Sequence, residues 1–146
     1  DLAHGLCRLG AGQRHLARSY ADDDEALWLL TAVLHAELRV RARAKRWRYR
    51  EPRGRLARLA VLQHLRRTRC TKCNGCGTWM VNNRKVTCRR CHGTTWNPVQ
   101  DYELARAIEV SPSAWSETWD ERYTQALTVL GEWERRARVR LRRVLK

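Results

Sequence analysis

The stretch that decides the fold is residues 70–93, which read CTKCNGCGTWMVNNRKVTCRRCHG. Two Cys-x-x-Cys pairs, Cys70/Cys73 and Cys88/Cys91, are each followed by one residue and then a glycine. A glycine here can adopt the positive φ that turns backbone N–H groups toward the sulfurs. Two such knuckles supply four soft ligands, which suit tetrahedral Zn²⁺ with Zn–S distances of about 2.3 Å. Because no coordination position is left for water, we expect one structural metal ion and no catalytic metal.

The thiol of Cys76 is the ambiguous part of this motif. It lies in Cys-x-x-Cys spacing with Cys73, so Cys73/Cys76 is an alternative pair. Only Cys70/Cys73 reproduces the Cys-x-x-Cys-x-Gly pattern of the second knuckle, and Cys76 is therefore predicted not to bind the metal. A redox pair or a disulfide framework is the other interpretation of clustered cysteines, but no secretion signal accompanies them.

Helical patterns dominate the chain outside the knuckles. Between the knuckles, residues 78–81 and 85–87 predict a hairpin that turns at Asn82-Asn83. The predicted helices are a short one before residue 20, one from the acidic run 22–25 to Pro52, one over 53–68, and a long one from Ser113 to the end. The fold class is therefore mainly α, a helical domain with an inserted zinc-binding hairpin that has four cysteine ligands. The expected division is residues 1–69, 70–96 and 97–146, which together form one compact unit.

Apolar residues at three- and four-residue spacing predict the faces that these helices bury. They are Leu27, Leu30, Leu34, Leu38, Leu56, Leu59, Ala60, Leu62, Leu65, Trp119, Tyr123, Ala126, Leu130, Trp133, Ala137, Leu141 and Val144. Gly131 in the last helix costs about 1 kcal/mol relative to alanine, so we expect neighbouring side chains to pack around that turn. The isolated Cys7 is predicted to be a buried thiol.

Positive charge points to a polyanionic partner. The chain carries 30 Lys and Arg against 15 Asp and Glu, a formal charge of +15. The charges from Arg39 to Arg50 are all positive, so their self-repulsion must be relieved by a partner, and double-stranded DNA is the simplest one. Trp47 and Tyr49 are expected to pack on a sugar or base. The residues predicted to contact DNA are Arg39, Arg43, Arg46, Arg50, Arg53, Arg55, Arg58, Arg84, Lys85, Arg89, Arg90, Ser111, Ser113 and Ser116. Solubility, codon bias, an acidic protein surface and an anionic membrane are the alternatives.

Residues 101–119, DYELARAIEVSPSAWSETW, are similar to a helix-turn-helix. The expected core positions are Leu104, Ala105, Ile108 and Trp115. Ser111 is predicted to cap the second helix, and Glu109 stands where such turns usually have glycine. The second helix also carries acids that repel phosphate: Glu117, Asp120 and Glu121. Base reading, a packing scaffold and an acidic face that docks a basic protein surface all stay open.

Other functional classes leave no pattern in the sequence. No nucleophile and base, no paired carboxylates and no phosphate-binding glycine loop stand out, and the histidines are scattered, so we expect no enzyme. No apolar run is long enough to cross a membrane, and no secretory leader is visible. We therefore expect a cytoplasmic protein without a membrane partner.

The order of these parts resembles the lambda-type late-gene antitermination protein Q family of bacteriophages, over roughly residues 27–130. The resemblance rests on the helix before the cysteines, the knuckles CTKCNGCG and CRRCHGTT, and the segments DYELARAIEV and AWSETWDERYTQAL. It implies a regulator without catalysis that binds DNA at a phage late promoter and joins host RNA polymerase. It further implies contacts with the sigma factor and the polymerase flap, and readthrough of terminators. The alternatives are a plain DNA-binding repressor or activator and a DnaJ-like zinc chaperone module, since DnaJ-type chaperones use the same knuckle in more copies.

Overall fold

The computed structural model describes residues 10–19, 24–47 and 53–144. Its elements are α1 (Ala11–Ser19), α2 (Asp24–Ala44), α3 (Arg53–Arg66), β1 (Thr78–Val81), β2 (Arg84–Thr87), α4 (Asp101–Ala107), α5 (Pro112–Ala114), a π-helical turn (Trp115–Trp119) and α6 (Asp120–Val144). The predicted fold class, mainly α with an inserted cysteine-bearing hairpin, is confirmed. The predictions for Cys7, Tyr49 and Arg50 lie outside the described residues, and so do the side chains of Leu141 and Val144.

The helical core forms where α2 packs against α1 and α3, and where α6 packs against α1 and α3. The central leucines Leu30, Leu34, Leu38 and Leu56 are fully buried, as the periodicity predicts. Leu27, Leu62, Leu65 and Trp133 are only partly buried. Among the described helices, buried positions that the pattern did not predict include Leu16, Ala26, Ala42, Ala57, Val61 and Val129. Small residues let helix backbones approach closely, so the tertiary packing buries alanines such as Ala26 and Ala42 that the periodicity does not mark.

Helix α2 ends at Ala44, well before Pro52, where the sequence predicted its end. Arg46 adopts a φ of 53°, and its N–H donates to the Arg43 carbonyl at 3.2 Å. The Trp47 N–H donates to the Ala42 carbonyl at 2.8 Å, which completes a Schellman arrangement. The ring of Trp47 then packs on the core with the Arg122 guanidinium 4.7 Å from its centroid. Much of the Trp47 ring, which the sequence predicts to pack on a sugar or base, is therefore in contact with the protein core.

The turn after α4 follows the same scheme as the end of α2. Glu109 has a φ of 60°, its N–H donates to the Arg106 carbonyl at 3.1 Å, and the Val110 N–H donates to the Ala105 carbonyl at 3.0 Å. Ser111 then caps α5, because its Oγ accepts the Ala114 N–H at 3.1 Å. The predicted core positions, Leu104, Ala105, Ile108 and Trp115, are all buried.

The long helix predicted from Ser113 is interrupted by the π-helical turn. The Asp120 N–H donates to the Trp115 carbonyl, five residues earlier. The extra residue in this turn keeps Trp115, Trp119 and Tyr123 on one buried face, and the rings of Trp115 and Tyr123 lie with centroids 5.5 Å apart. None of the described helices has the length and apolar character needed to cross a membrane.

Candidate metal centre and basic surface

The two knuckles have matching backbone conformations. Three positions after the second cysteine of each knuckle all adopt positive φ: Asn74, Gly75 and Gly77 in the first, and His92, Gly93 and Thr95 in the second. The Cys88 N–H donates to the Gly77 carbonyl at 2.8 Å, and the Cys70 N–H donates to the Thr95 carbonyl at 2.8 Å. Each knuckle therefore binds the first cysteine of the other, which brings the two pairs face to face.

The four predicted ligands come together in one buried cluster. The sulfurs of Cys70, Cys73, Cys88 and Cys91 all lie within 4.8 Å of one another. The Cys70 and Cys88 sulfurs are 3.9 Å apart, and those of Cys73 and Cys91 are 3.7 Å apart. A tetrahedron with metal–sulfur distances of about 2.3 Å has sulfurs about 3.8 Å apart, so these thiols fit one metal ion.

Backbone N–H groups stabilise thiolates in this cluster. Burial opposes ionisation of Cys88, but the N–H groups of Cys91 and Arg90 lower the pKa of its thiol to about 7. Burial raises the pKa of the Cys73 thiol to about 11, even though the Gly77 N–H donates to its Sγ at 3.2 Å. Neighbouring thiolates repel one another, so full ionisation of the set requires a cation at its centre. The chemistry of the donor set therefore matches the geometry.

The structure excludes the disulfide interpretation for these residues. Cys70, Cys73, Cys76, Cys88 and Cys91 are all free thiols. Cys76 is exposed and does not belong to the buried cluster, in agreement with its predicted role as a non-ligand.

The hairpin between the knuckles presents basic residues at its outer end. Strands β1 and β2 are antiparallel, with Thr78 opposite Thr87 and Val81 opposite Arg84. Asn82 and Asn83 have φ of 47° and 60°, as in the two-residue turns that favour asparagine. Trp79 packs on the four thiols, whereas Arg84 and Lys85 are exposed. The cysteine cluster thus supports a hairpin with a cationic tip, and β2 begins one residue earlier than predicted.

The predicted DNA-contacting basic residues divide into two groups. Eight are exposed and form no ion pair with any carboxylate that the structure describes: Arg39, Arg43, Arg46, Arg58, Arg84, Lys85, Arg89 and Arg90. We call these eight the free basic set. Arg55 differs, because its Nη1 lies 2.6 Å from Glu109 Oε2 and braces the turn after α4. Arg53 begins α3, but its side chain lies outside the described part.

The three predicted serine contacts lie on the exposed start of the second helix. Ser111 Oγ is engaged in capping α5 and lies 3.1 Å from Ser113 Oγ. The Ser116 hydroxyl donates to the Ser113 carbonyl at 3.0 Å. Acidic residues stand beside these serines: Glu117, Asp120 and Glu121. This surface is therefore acidic, with its hydroxyls turned to local hydrogen bonds.

The arginine-rich tail of α6, which the sequence offers as a second polyanion contact beside dipole and solubility explanations, borders a cationic region that sequence reasoning did not locate. It is a cleft of about 390 Å³ that includes Arg67, Trp96 and one face of α6. Below it lies Glu134, only 12% exposed, with Arg67 Nη2 at 2.9 Å, Arg138 Nη2 at 2.5 Å and His64 Nε2 at 3.1 Å. The available sequence signal was Glu134, the last acid before the arginine-rich end of α6.

Gly131 also lines this cleft, and a Cβ built on it would meet no atom within 4 Å. The turn is held by packing on its other side, where Val129 and Leu130 are buried, in agreement with the expectation that packing holds it. The α6 turn at this position borders open space, and the missing side chain leaves room in the cleft.

Comparison with models of protein families, with curated proteins and with solved structures found no match to this chain. The class of this protein is therefore described from its own fold and from the geometry of its site. It is a mainly α protein that carries a closed four-thiol centre able to hold a metal ion.

Proposed function

We propose that this chain is a phage transcription antitermination factor that binds late-promoter DNA and host RNA polymerase. The observation that carries the proposal is the free basic set, eight exposed cations that no described carboxylate neutralises. Phosphate groups of DNA supply the missing negative charge, and release of their counterions favours binding. That the partners are host RNA polymerase and a late promoter is implied by the resemblance to the antitermination protein Q family.

The metal in this proposal is one Zn²⁺ with a structural role. Tetrahedral four-thiolate sites take zinc or iron, and a closed set with no open position is typical of structural zinc. Metal analysis of the purified protein distinguishes the two, because an iron–thiolate centre is coloured and a zinc centre is not. One zinc per chain is the expected result.

The metal acts by fixing the pose of the basic elements. Cys70 follows α3 closely and Cys91 leads toward α4, so one ion joins the two chain segments on either side of the hairpin. The basic residues of α3 and those of the hairpin tip are then held at a constant separation. Such preorganisation lowers the entropic cost of meeting several phosphates at once.

The DNA contacts in this proposal fall on α2, α3 and the hairpin more than on the helix-turn-helix-like segment. The carboxylates of Glu117, Asp120 and Glu121 oppose an approach of that segment to phosphate. The same acids suit a basic protein surface, and we assign them to the polymerase side of the complex.

Single-round transcription from the cognate late promoter through an intrinsic terminator tests the function. We expect readthrough with the protein, and loss of readthrough when the promoter's upstream DNA element is scrambled. Unchanged termination with altered initiation would instead identify a plain repressor or activator. Binding to unfolded polypeptides without salt-dependent DNA binding would identify a chaperone module.

A further inference from the structure

We propose that the cleft beside α6 binds single-stranded nucleic acid, with backbone phosphates on Arg135 and Arg142 and a base against the Arg67–Trp96 stack. This inference goes beyond the proposed function, which concerns duplex DNA and a polymerase. It also involves none of the residues predicted to contact duplex DNA.

One face of α6 forms a wall of this cleft. Gly131, Arg135, Arg138 and Arg142 line it at spacings of four, three and four residues, which places them in one row along the helix. Arg67, which directly follows α3, and Trp96, after the second knuckle, line the cleft with them. The walls thus come from three segments, and the cleft of about 390 Å³ has the size of a small-molecule site.

The charges in the cleft separate into an internal network and an outer pair. Glu134 is occupied by Arg67 and Arg138 through the short contacts given above. Burial raises the pKa of Glu134, but Arg67, His64 and Arg138 outweigh that effect and lower it, so the carboxylate stays ionised. Arg135 and Arg142 are exposed and pair with no carboxylate in the described ranges. These two cations are the ones available to phosphate.

The Arg67–Trp96 stack gives the cleft a flat platform. The Arg67 guanidinium carbon lies 4.3 Å from the Trp96 ring centroid, and its Nη2 is held by Glu134. Bases of single strands stack on aromatic rings and on guanidinium planes. Val139, 46% exposed, adds apolar surface to the same cleft. A duplex keeps its bases stacked on one another, so only a single strand presents a base to this platform.

Fluorescence anisotropy with short labelled oligo(dT) and oligo(U), and with a labelled duplex, tests the proposal on the full zinc-loaded chain. Arg135→Ala/Arg142→Ala should weaken single-strand binding and lower the salt slope by about 1.4, two phosphates at about 0.7 each. Arg136→Ala/Arg143→Ala is the control, because it removes the same formal charge from neighbouring positions of α6 outside the cleft. Arg136 pairs with Glu132 at 3.8 Å, but this exposed contact contributes little, so duplex affinity should change by a similar factor for the two double variants.

A second pair of variants tests whether binding needs the open volume of the cleft, without changing its charge. Gly131→Met fills the cleft without changing the net charge and should weaken oligo(dT) binding several-fold. Gly131→Ala adds a methyl group to open space and should leave that affinity unchanged. Equal losses for the two arginine pairs, or full single-strand affinity in Gly131→Met, would overturn the proposal. Neither result would change the outcome of the duplex-binding and terminator experiments. Failure of the single-strand proposal can therefore be distinguished from failure of the antitermination proposal.

Discussion

Asn97 holds Thr68 by two hydrogen bonds: its backbone N–H donates to the Thr68 carbonyl at 2.9 Å, and its Nδ2 donates to Thr68 Oγ1 at 3.0 Å. The same Nδ2 donates to the Arg69 carbonyl at 3.0 Å, and Oδ1 accepts the Thr71 N–H at 3.3 Å. Thr68 precedes the first knuckle and Asn97 follows the second. One residue thus ties the chain that enters the metal module to the chain that leaves it.

Replacing Asn97 with alanine should therefore destabilise the protein by about 1–3 kcal/mol, because the variant lacks all three side-chain hydrogen bonds. Thermal unfolding with zinc present measures the effect. Val99→Ala, a change at a partly exposed neighbour, is the control and should shift the midpoint little. Equal thermal unfolding midpoints for both variants would show that the side-chain hydrogen bonds of Asn97 add no stability to that provided by the metal centre.

Zinc binding should depend on the four clustered cysteines and not on Cys76. Cys70→Ser should abolish stoichiometric zinc binding and cooperative unfolding, because a three-thiolate set loses both affinity and the link between knuckles. Cys76→Ser should retain one zinc per chain, since Cys76 is exposed and outside the cluster. Metal content and far-UV circular dichroism check both variants. Loss of zinc in Cys76→Ser would mean that Cys76 is a ligand.

Two glycines should respond to alanine with opposite signs. Gly77 has a φ of +72°, and a Cβ on it would lie 2.8 Å from the Gly93 carbonyl oxygen, so Gly77→Ala should cost about 1–3 kcal/mol. Gly131→Ala, on open helix surface, should instead stabilise α6 by about 1 kcal/mol. Urea unfolding of the two variants gives the comparison. A stabilising Gly77→Ala would contradict the tight approach of the knuckles.

Stability should fall in mild acid because of His64. Burial and the nearby Arg67 lower the pKa of His64 below its ordinary 6.5, although Glu134 opposes this. Below pH 6.5 the unfolded chain therefore binds more protons than the folded chain, and stability decreases until the lower folded pKa is passed. The slope contributed by this one residue is at most about 1.4 kcal/mol per pH unit.

His64→Gln tests this by removing the titrating group, with His35→Gln on α2 as the control. The decrease in the free energy of unfolding below pH 6.5 should become shallower only in His64→Gln. All proteins are compared at the same zinc concentration, because acid also protonates the cysteine ligands. Parallel profiles for His64→Gln and the wild type would contradict the prediction.

Duplex binding should depend on free arginines more than on paired ones. Arg39→Ala/Arg43→Ala should lower the salt slope by about 0.9 for each phosphate that the variant no longer neutralises. Arg41→Ala is the control on the same helix, since Arg41 Nε already lies 3.0 Å from Glu37 Oε1. Anisotropy titrations over a range of salt concentrations give the slopes. Equal effects per arginine would show that net charge alone drives binding.

The sequence by itself determined the features whose causes are local. Knuckle spacing placed the four thiols, and the glycines after them adopt the positive φ that the motif requires. Asn82-Asn83 predicted the hairpin turn, and Ser111 predicted a helix cap. Within each knuckle, in the hairpin turn and at the helix cap, the interacting atoms are a few residues apart, so residue type and spacing are sufficient. The two knuckles are 18 residues apart, and the short hairpin between them brings them together.

Only the tertiary structure decided the features that join distant segments. Arg46 ends α2 in a left-handed conformation without glycine, where Trp47 packs on the core beside Arg122. Arg67 and Glu134 are 67 residues apart in the chain, yet their contact helps to build the cleft beside α6. No spacing rule encodes such a pair, because its geometry depends on how whole helices pack. The free energy that holds these residues in place comes from the shared core, which forms only when all of its helices are present.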